Sequence, residues 1–281
     1  MSSPAAPTQQ GLYCVLGDPI AHSLSPLIHN GWMLDHGLNE RYAGIHVPEG
    51  DLASALEKLA TRGLAGVNIT LPHKQAALEL AESASEVAKS IGAANTLIRK
   101  TNLRWHAENT DAPGFLEALA DFYPDPLMGK HVFLLGAGGA ARAVMHALDG
   151  AGAHVIVCNR TREKAQDLIR RYEPGMHHAL TLEAGLAALD KPELVINTTS
   201  LGHAGEAFDW PDGEGRPLYD ISYGKTAEVF LAPARAKNWQ TADGLGMLVA
   251  QAALSFEMWF GIKPGREIAM TRCKTALEKN T

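Results

Sequence analysis

A glycine-rich turn directly after a short apolar run constrains the fold of this chain more than any other feature. The run 132–135 (Val-Phe-Leu-Leu) is typical of a buried parallel strand, and a helix is predicted over 140–150. The turn between them has the pattern G-x-G-x-x-A, formed by Gly136, Gly138 and Ala141. In dinucleotide-binding folds the first glycine of this pattern permits a sharp turn, the second lets a pyrophosphate approach the backbone, and the final small residue keeps the helix close to the strand. The N–H groups at the helix N-terminus can bind the phosphates. The predicted cofactor contacts here are Gly136, Ala137, Gly138, Gly139 and Ala140.

The end of the next predicted strand distinguishes between the nicotinamide cofactors. Ordinary βα turns also carry glycines, so the turn alone is weak evidence. The strand 154–158 ends in Asn159-Arg160-Thr161-Arg162, where an NAD site would place an acid for the ribose hydroxyl. Arginine forks match the geometry of a phosphate, so we predict a 2′-phosphate site and NADP. The alternative is two solvated arginines at a helix start, where positive charge is mildly unfavourable.

The overall composition excludes several classes of protein. The 281 residues are 46% hydrophobic, which supports one large or two modest cores, and the net charge of −6 with a pI of about 6.0 argues against nucleic acid. The sequence carries no apolar run long enough for a membrane span, and the first eleven residues are not expected to be a signal peptide. The three cysteines (14, 158 and 273) are scattered, so a cytoplasmic location is expected.

The first hundred residues alternate between strand and helix, which predicts a separate α/β domain. Strands are predicted at 12–16, 41–47 and 66–70, helices at 27–36, 50–62 and from 75, and a hairpin at 95–99 and 104–108. Ser23 and Ser25 precede the first helix and offer two hydroxyls for a carboxylate. Ser25 is equally suited to be the N-cap of that helix, ahead of Pro26.

Two ionisable residues stand at predicted junctions of strand and helix. Lys74 follows the strand that ends at Thr70, and strand ends in α/β sheets face the ligand crevice. Asp111 begins a helix near the expected crossing between domains. A lysine and an aspartate could handle a proton together, although a solvated lysine and an N-capping aspartate are the simpler alternatives.

The C-terminal half adds further candidates for ligand binding. A strand over 193–198 ends in polar residues where a nicotinamide ribose could lie, and Tyr223 follows the next strand at 218–222. The segment 202–217 is rich in Gly, Pro and acids and is predicted to be a mobile loop. A helix is predicted over 246–260, and Gln251 lies among its apolar residues. Gln251 could be a half-exposed surface residue or a ligand-binding amide. The twelve histidines show no metal-ligand spacing, and we expect no metal site.

Eight blocks, in order along nearly the whole chain, resemble the shikimate dehydrogenase family. They are 18–26 (DPIAHSLSP), 67–74 (VNITLPHK), 92–97 (GAANTL), 109–111 (NTD), 136–140 (GAGGA), 159–161 (NRT), 197–200 (NTTS) and 242–251 (ADGLGMLVAQ). The chain departs from the family's pattern at Ala107-Glu108, at Gln75 and at Ile221-Ser222, which puts fine substrate preference in doubt.

The resemblance implies roles for individual residues. It makes Lys74 and Asp111 the catalytic pair. The implied substrate contacts are Ser23, Ser25, Thr70, Lys74, Asn95, Asp111, Tyr223 and Gln251. The implied cofactor contacts outside the glycine turn are Asn159, Arg160, Thr161, Gly244 and, least certainly, Arg162. The polar strand end adds Thr198 and Ser200 as expected contacts, and Ile221 is expected near the nicotinamide.

The resemblance also implies a fold and an activity. The expected fold has a discontinuous substrate-binding α/β domain (1–110 and 245–281) and a Rossmann-type NADP-binding domain (111–244). The expected reaction is NADPH-dependent reduction of 3-dehydroshikimate to shikimate, in aromatic amino-acid biosynthesis. Alternatives are an NAD-dependent quinate/shikimate dehydrogenase, an aminoshikimate-type relative and a non-catalytic NADP-binding regulator. A small-molecule substrate is expected, without nucleic acid or membrane, and a homodimer is left open.

Overall fold

The computed structural model describes residues 11–189 and 192–279. By its contacts the chain divides into two compact units. Unit 1 comprises Met1–Thr110 and Ala252–Cys273, and unit 2 comprises Asp111–Gln251 and Lys274–Thr281. The predicted domain limits stay a prediction; in the structure, residues 245–251 have their contacts with unit 2. The expectation about a signal peptide concerns mainly residues 1–10, outside the described residues.

Unit 1 is built on a mixed sheet with helices around it. Its strands are β1 (Leu12–Gly17), β2 (Arg41–His46), β3 (Leu64–Ile69), β4 (Ser83–Ala84), β5 (Thr96–Arg99) and β6 (Trp105–Glu108). Its first helices are α1 (Ser25–Asp35), α2 (Leu52–Ala60), α3 (Lys74–Leu80) and α4 (Glu86–Ile91). The strand order is β2-β1-β3-β5-β6-β4, with β1 parallel to β2 and β3, and β5 antiparallel to β3 and β6. The predicted hairpin is thus confirmed as β5 and β6.

The apolar periodicity of unit 1 gives it a continuous core. The predicted stripe of α2 (Leu52, Leu56 and Leu59) is buried against β1 and β3, whose inner residues are almost fully buried. Burial of this kind contributes about 25 cal/mol per Å² of apolar surface, so the core holds the carboxyl ends of β1 and β3 firmly in place.

Unit 2 is a doubly wound α/β fold with an all-parallel sheet among its described residues. Its strands are β7 (His131–Leu135), β8 (His154–Asn159), β9 (His178–Thr181), β10 (Leu194–Asn197), β11 (Pro217–Asp220) and β12 (Gln240–Ala242). Its helices are α5 (Asp111–Phe122), α6 (Gly139–Gly150), α7 (Arg162–Ile169), α8 (Leu182–Leu186) and α9 (Lys225–Arg235). The order is β12-β11-β10-β7-β8-β9, so the direction of winding reverses between β7 and β10. Ligands of such sheets bind beyond the carboxyl ends of the strands at that point.

Two C-terminal helices contribute residues to both units. They are α10 (Leu245–Phe260) and α11 (Arg266–Lys279). No helix among the described residues is long and apolar enough to cross a membrane.

The segment 202–217, predicted to be a mobile loop, is partly built into the core of unit 2. It starts with a short 3-10 helix over Gly202–Ala204. The Trp210 side chain is 2% exposed and packs against Phe230 and Trp239, each with ring centroids 5.4 Å away. Burial of a tryptophan removes a large apolar area from water. This stabilisation outweighs the tendency of the surrounding Gly- and Pro-rich sequence to stay unpacked.

Candidate active site

The glycine turn of unit 2 has the geometry that a dinucleotide needs. Gly136 adopts φ +104°, and a Cβ there would lie 2.6 Å from the Thr198 Oγ1. Gly138 occupies the N-cap position of α6, in extended conformation, with open space where a Cβ would be. Ala141 is fully buried, which keeps α6 on the sheet. The backbone N–H groups that begin α6 therefore face room for phosphate, and these residues fit an NADP pyrophosphate.

The four residues from the last position of β8, Asn159, to Arg162 divide into two kinds. Asn159 and Arg162 make contacts within the protein: the Asn159 Nδ2 donates to the Thr161 carbonyl (2.8 Å), and the Arg162 Nε donates to the Ala179 carbonyl on β9 (3.2 Å). Arg160 is exposed, and the side chain of Thr161 does not cap α7 although it stands at the N-cap position. This arrangement fits a 2′-phosphate held mainly by Arg160 and the Thr161 hydroxyl.

The remaining predicted cofactor residues follow the ends of β10, β11 and β12. The Thr198 hydroxyl donates to the Leu135 carbonyl at the end of β7 (2.8 Å), and Ser200 is exposed beyond it. Gly244 lies against the Ile221 carbonyl so closely that a Cβ would not fit, and its N–H donates to the Ser222 carbonyl (2.7 Å). Glycine at 244 is therefore required by close backbone approach.

Asp220, at the end of β11, is a buried acid that the sequence analysis did not single out. Its Oδ1 accepts from the Asn197 Nδ2 (3.1 Å) and from the Ser222 N–H (3.0 Å), and it is fully buried. Burial raises the pKa of Asp220 to about 6, against the lowering effect of these hydrogen bonds. The residue fixes the backbone between Asp220 and Tyr223. Its signal in the sequence is an acid at the end of an otherwise apolar strand.

The structure excludes one of the two roles considered for Ser25, which lies at the start of α1. The helix already begins at Ser25, and no side chain caps it, so Ser25 is not the N-cap. Instead the Ser23 Oγ accepts from the Ser25 N–H (3.3 Å). Ser25 is 5% exposed and Ser23 is partly buried. The capping interpretation of Ser25 is therefore wrong, because the helix starts one residue earlier than that interpretation requires.

Thr70 and Lys74 are held by the turn between β3 and α3. The Thr70 N–H donates to the Leu16 carbonyl (2.9 Å), and the Thr70 methyl lies against Gly17, where a Cβ would not fit. The buried His73 places its Nε2 2.7 Å from the Val47 carbonyl, which anchors the start of α3 to the end of β2. Lys74, partly buried, is the first residue of α3, one position earlier than predicted.

Asn95 and Asp111 are both nearly buried, at 2% and 6% exposure. The Asn95 amide is bound by Thr110: its Nδ2 donates to the Thr110 Oγ1 (2.9 Å), and its Oδ1 accepts from the Thr110 N–H (2.7 Å). Asp111 follows directly as the first residue of α5, in unit 2, whereas Lys74 belongs to unit 1.

Gln251 and Tyr223 are partly buried residues of unit 2. The Gln251 Nε2 donates to the Leu248 carbonyl of its own helix (2.8 Å). Opposite it, Gly114 of α5 brings the two helices so close that a Cβ at 114 would lie 2.7 Å from the Gln251 nitrogen and 2.8 Å from its Cα. The position of Gln251 thus depends on the absence of a side chain on Gly114.

A cavity of about 500 Å³ in unit 1 lies away from these residues. Its wall includes Tyr13, Arg99 and Trp259, where β1 and β3 begin. The candidate residues of unit 1 follow the opposite ends of these strands, so this cavity is not part of the candidate site. Among residues 11–189 and 192–279, no group of three or more His, Cys, Asp or Glu side chains could hold a metal ion.

Family models cover most of the chain. Residues 15–97 match a shikimate dehydrogenase substrate binding domain, residues 118–204 match a shikimate / quinate 5-dehydrogenase, and residues 244–272 match a shikimate 5'-dehydrogenase C-terminal domain. The shikimate dehydrogenase (NADP(+)) of Hyphomonas neptunium is 50% identical over 264 residues, which cover 94% of this chain and 97% of that protein.

Two crystal structures are also similar over nearly the full length. Shikimate dehydrogenase from Aquifex aeolicus has a TM-score of 0.84 at 31% identity, covering 96% of this chain and 99% of that chain. Shikimate 5-dehydrogenase from Thermus thermophilus, in complex with NADP(H) and shikimate, has a TM-score of 0.81 at 35% identity, covering 95% and 100%. With the dinucleotide turn, the arginine after β8 and the relatives all in agreement, the chain belongs to the shikimate dehydrogenase family.

Proposed function

We propose that this protein catalyses the reversible, NADP(H)-dependent interconversion of 3-dehydroshikimate and shikimate. The observation that carries the proposal is the 50% identity over 94% of the chain to a shikimate dehydrogenase (NADP(+)). The exposed Arg160 after β8, where an NAD enzyme would place an acid, supports NADP independently.

Unit 2 would hold the cofactor through the residues around its glycine turn. The α6 N-terminus would bind the pyrophosphate, Arg160 and Thr161 the 2′-phosphate, and Gly244 would let the nicotinamide approach the backbone. The bound cofactor supplies or accepts the hydride; the protein orients the reactants and handles the proton.

The substrate would be bound mainly by side chains that follow β1 and β3 or directly precede β5. The hydroxyls of Ser23 and Ser25 are donors suited to a carboxylate, as expected at the start of α1. The remaining proposed contacts, to ring hydroxyls and the carboxylate, are Thr70, Lys74, Asn95, Asp111, Tyr223 and Gln251. All are hydrogen-bonding groups, which suits a small polyhydroxylated acid.

Lys74 and Asp111 are the proposed catalytic residues. When hydride reaches the ketone carbon, the C=O π electrons move onto oxygen, and the Lys74 ammonium gives that oxygen its proton. In the oxidation direction, neutral Lys74 accepts the hydroxyl proton as hydride leaves the carbon. The Asp111 carboxylate would orient the ammonium group and a substrate hydroxyl through charge-assisted hydrogen bonds.

Initial rates with four substrate–cofactor pairs test the proposal. We expect oxidation of shikimate with NADP to exceed, by about tenfold or more, oxidation of shikimate with NAD, because a site built to bind a phosphate discriminates strongly against a cofactor that lacks it. Quinate should be oxidised more slowly with either cofactor, because a site fitted to shikimate must accommodate the additional ring hydroxyl of quinate. Dominant quinate turnover with NAD would replace the proposal by the alternative of an NAD-dependent quinate/shikimate dehydrogenase. Binding of NADP without turnover of either acid would support the non-catalytic regulator.

The phosphate assignment predicts unequal effects of two neighbouring arginines. Arg160→Ala is expected to raise the KM for NADP about 10- to 100-fold, the size of a lost charge-assisted hydrogen bond, and to leave the KM for NAD unchanged. Arg162→Ala is the matched control, with a smaller effect, because the Arg162 Nε already bonds the Ala179 carbonyl. Steady-state kinetics at fixed shikimate measure both. Equal effects, or a larger one at Arg162, would contradict the assignment.

The protein is also proposed to act on its small-molecule substrate in the cytoplasm. Its three cysteines are buried and free, in keeping with a reducing compartment. Sedimentation equilibrium distinguishes a monomer from a homodimer.

A further inference from the structure

A buried cluster of hydroxyls and amides lies inside unit 1, at the carboxyl end of β3 and the start of β5. Its members are Asn68 on β3, Thr96 on β5, Thr110 before α5 and Ser255 on α10, and none of them is more than 6% exposed. Ser255 is at its centre. The Ser255 Oγ lies 2.9 Å from the Asn68 Nδ2, 2.8 Å from the Thr96 Oγ1 and 3.2 Å from the Thr110 Oγ1.

Each member of this cluster is a near neighbour in sequence of a proposed substrate contact. Asn68 stands two residues before Thr70, Thr96 directly after Asn95, and Thr110 directly before Asp111. Ser255 stands one helical turn after Gln251, on the same face of α10, since residues four apart share a face. Four buried polar side chains therefore adjoin, in sequence, the residues that are proposed to bind the substrate.

The hydrogen bonds of the cluster continue directly to Asn95. The Thr110 Oγ1 accepts from the Asn95 Nδ2 (2.9 Å), and the Asn95 Oδ1 also accepts from the Thr96 hydroxyl (3.2 Å). On the other side, the Asn68 Oδ1 accepts from the Tyr42 hydroxyl (2.7 Å). The orientation of the Asn95 amide is thus set by the two threonines that Ser255 holds together.

We propose that Ser255 is a positioning residue, which fixes Asn95 and the start of α5 for substrate binding by joining Asn68, Thr96 and Thr110 through its hydroxyl. The proposal rests on the substrate contacts assigned above. Ser255 does not touch the substrate. Its effect passes through Thr110 and Thr96, and it should appear in shikimate binding while NADP binding, a property of unit 2, stays unchanged.

Removing the hydroxyl leaves buried partners with fewer bonds. In Ser255→Ala, Asn68, Thr96 and Thr110 each lose one neighbour, and buried polar groups that lose a partner rearrange to regain one. Asn68 can turn towards Thr96 and the Asn95 carbonyl, which it already approaches at 3.1 Å and 3.3 Å. That rearrangement competes for the same groups that hold the Asn95 amide.

The test compares three variants in the full-length protein. Ser255→Ala is expected to raise the Kd for shikimate, measured by titration calorimetry, about tenfold, the size of one lost buried hydrogen bond, with the KM for NADP within about twofold of wild type. Ser255→Thr keeps the hydroxyl and should restore most of the affinity. Phe256→Leu is the matched control, because Phe256 is also fully buried on α10 but lies outside the cluster. It should lower the melting temperature at least as much as Ser255→Ala and leave the Kd for shikimate unchanged.

A double-mutant cycle separates positioning from general loosening. Thr110→Val removes the second hydroxyl with little change of shape, and its effect on the Kd for shikimate should be strongly non-additive with that of Ser255→Ala, because both act on one network. The proposal is overturned if Ser255→Ala binds shikimate normally, if Phe256→Leu weakens binding equally, or if the two effects add. Failure of the substrate-site assignment is seen separately, since Asn95→Ala would then leave shikimate binding unchanged.

Discussion

Replacing Lys74 by alanine is expected to lower kcat for shikimate oxidation about 100-fold or more. General acid–base groups typically contribute factors of about 10² to 10⁴, and no other amine shares the turn between β3 and α3. Because the residues proposed to bind the phosphates belong to unit 2, the variant should still bind NADP normally. Stopped-flow or steady-state assays with shikimate and NADP, together with a fluorescence titration of NADPH, measure the two quantities.

The neighbouring Gln75 provides a matched control for this substitution. Gln75 is exposed on the first turn of the same helix, so Gln75→Ala should keep kcat within about twofold of wild type. A Lys74→Ala enzyme that retains more than about a third of wild-type turnover would remove Lys74 from the proton-transfer step. An equal loss in both variants would point to damage to α3 instead.

His29 should make unit 1 lose stability in acid. The imidazole is fully buried and stacked on Tyr42, with ring centroids 4.2 Å apart, and Trp32, Phe256 and Trp259 complete its surroundings. Neither ring nitrogen makes a hydrogen bond of regular geometry among the described residues, and Asn68 is the polar side chain close enough to affect the imidazole. Burial lowers the pKa of His29 from 6.5 to about 3, against a smaller raising effect of the neighbouring Asn68.

The direction of the pH dependence follows from proton binding. Between about pH 6.5 and pH 3, the unfolded chain binds a proton at His29 that the folded chain does not, so the free energy of unfolding falls as pH falls. The loss amounts to about 1.4 kcal/mol per pH unit, which gives about 3 kcal/mol at about pH 4.5. His29→Phe, which keeps an aromatic ring and cannot titrate, should lack this contribution.

Urea denaturation of wild type and His29→Phe between about pH 7 and pH 4.5, followed by circular dichroism, gives the difference in unfolding free energy at each pH. We expect that difference to shift by about 3 kcal/mol in favour of the variant. Other groups, such as Asp220, titrate in both proteins and cancel. His22→Gln, at an exposed histidine, is the control and should follow wild type. A pH-independent difference would place His29 in a solvated or hydrogen-bonded environment in solution. Should the phenylalanine be too large for the site, His29→Leu serves the same comparison.

The parts of the fold that follow from local pattern were predictable. The two-domain α/β class, the strand–turn–helix at 132–150 and the hairpin of β5 and β6 are all confirmed, because glycine spacing and apolar runs report them directly. The 3.6-residue stripe of α2 likewise appears as a buried face. The missing acid at the end of β8 predicts NADP as cofactor, in agreement with the relatives.

The parts that depend on distant partners were not predictable. The contact of Arg162 with Ala179 requires β9, a four-residue strand that leaves too little pattern to detect. The burial of Trp210 depends on Phe230 and Trp239, which are far along the chain. The same holds for the Ser255 cluster, whose members are up to 187 residues apart. The roles of Lys74 and Asp111 stay predictions, because a sequence motif identifies candidate residues and only kinetic measurements show which of them transfers a proton.

The close approach of α5 and α10 at Gly114 also bears on how relatives of this protein can diverge. Glycine inside a helix costs roughly 1 kcal/mol relative to alanine, so drift alone would replace it. Here the Cβ of an alanine would lie only 2.7–2.8 Å from the Gln251 backbone. The substitution would therefore move Gln251, which is proposed to bind a ring hydroxyl of the substrate. A lineage that acquires a side chain at position 114 must therefore shift α10 in the same evolutionary step or accept a different substrate. Position 114 has no proposed ligand contact of its own, yet its residue type should differ between related enzymes that oxidise different acids.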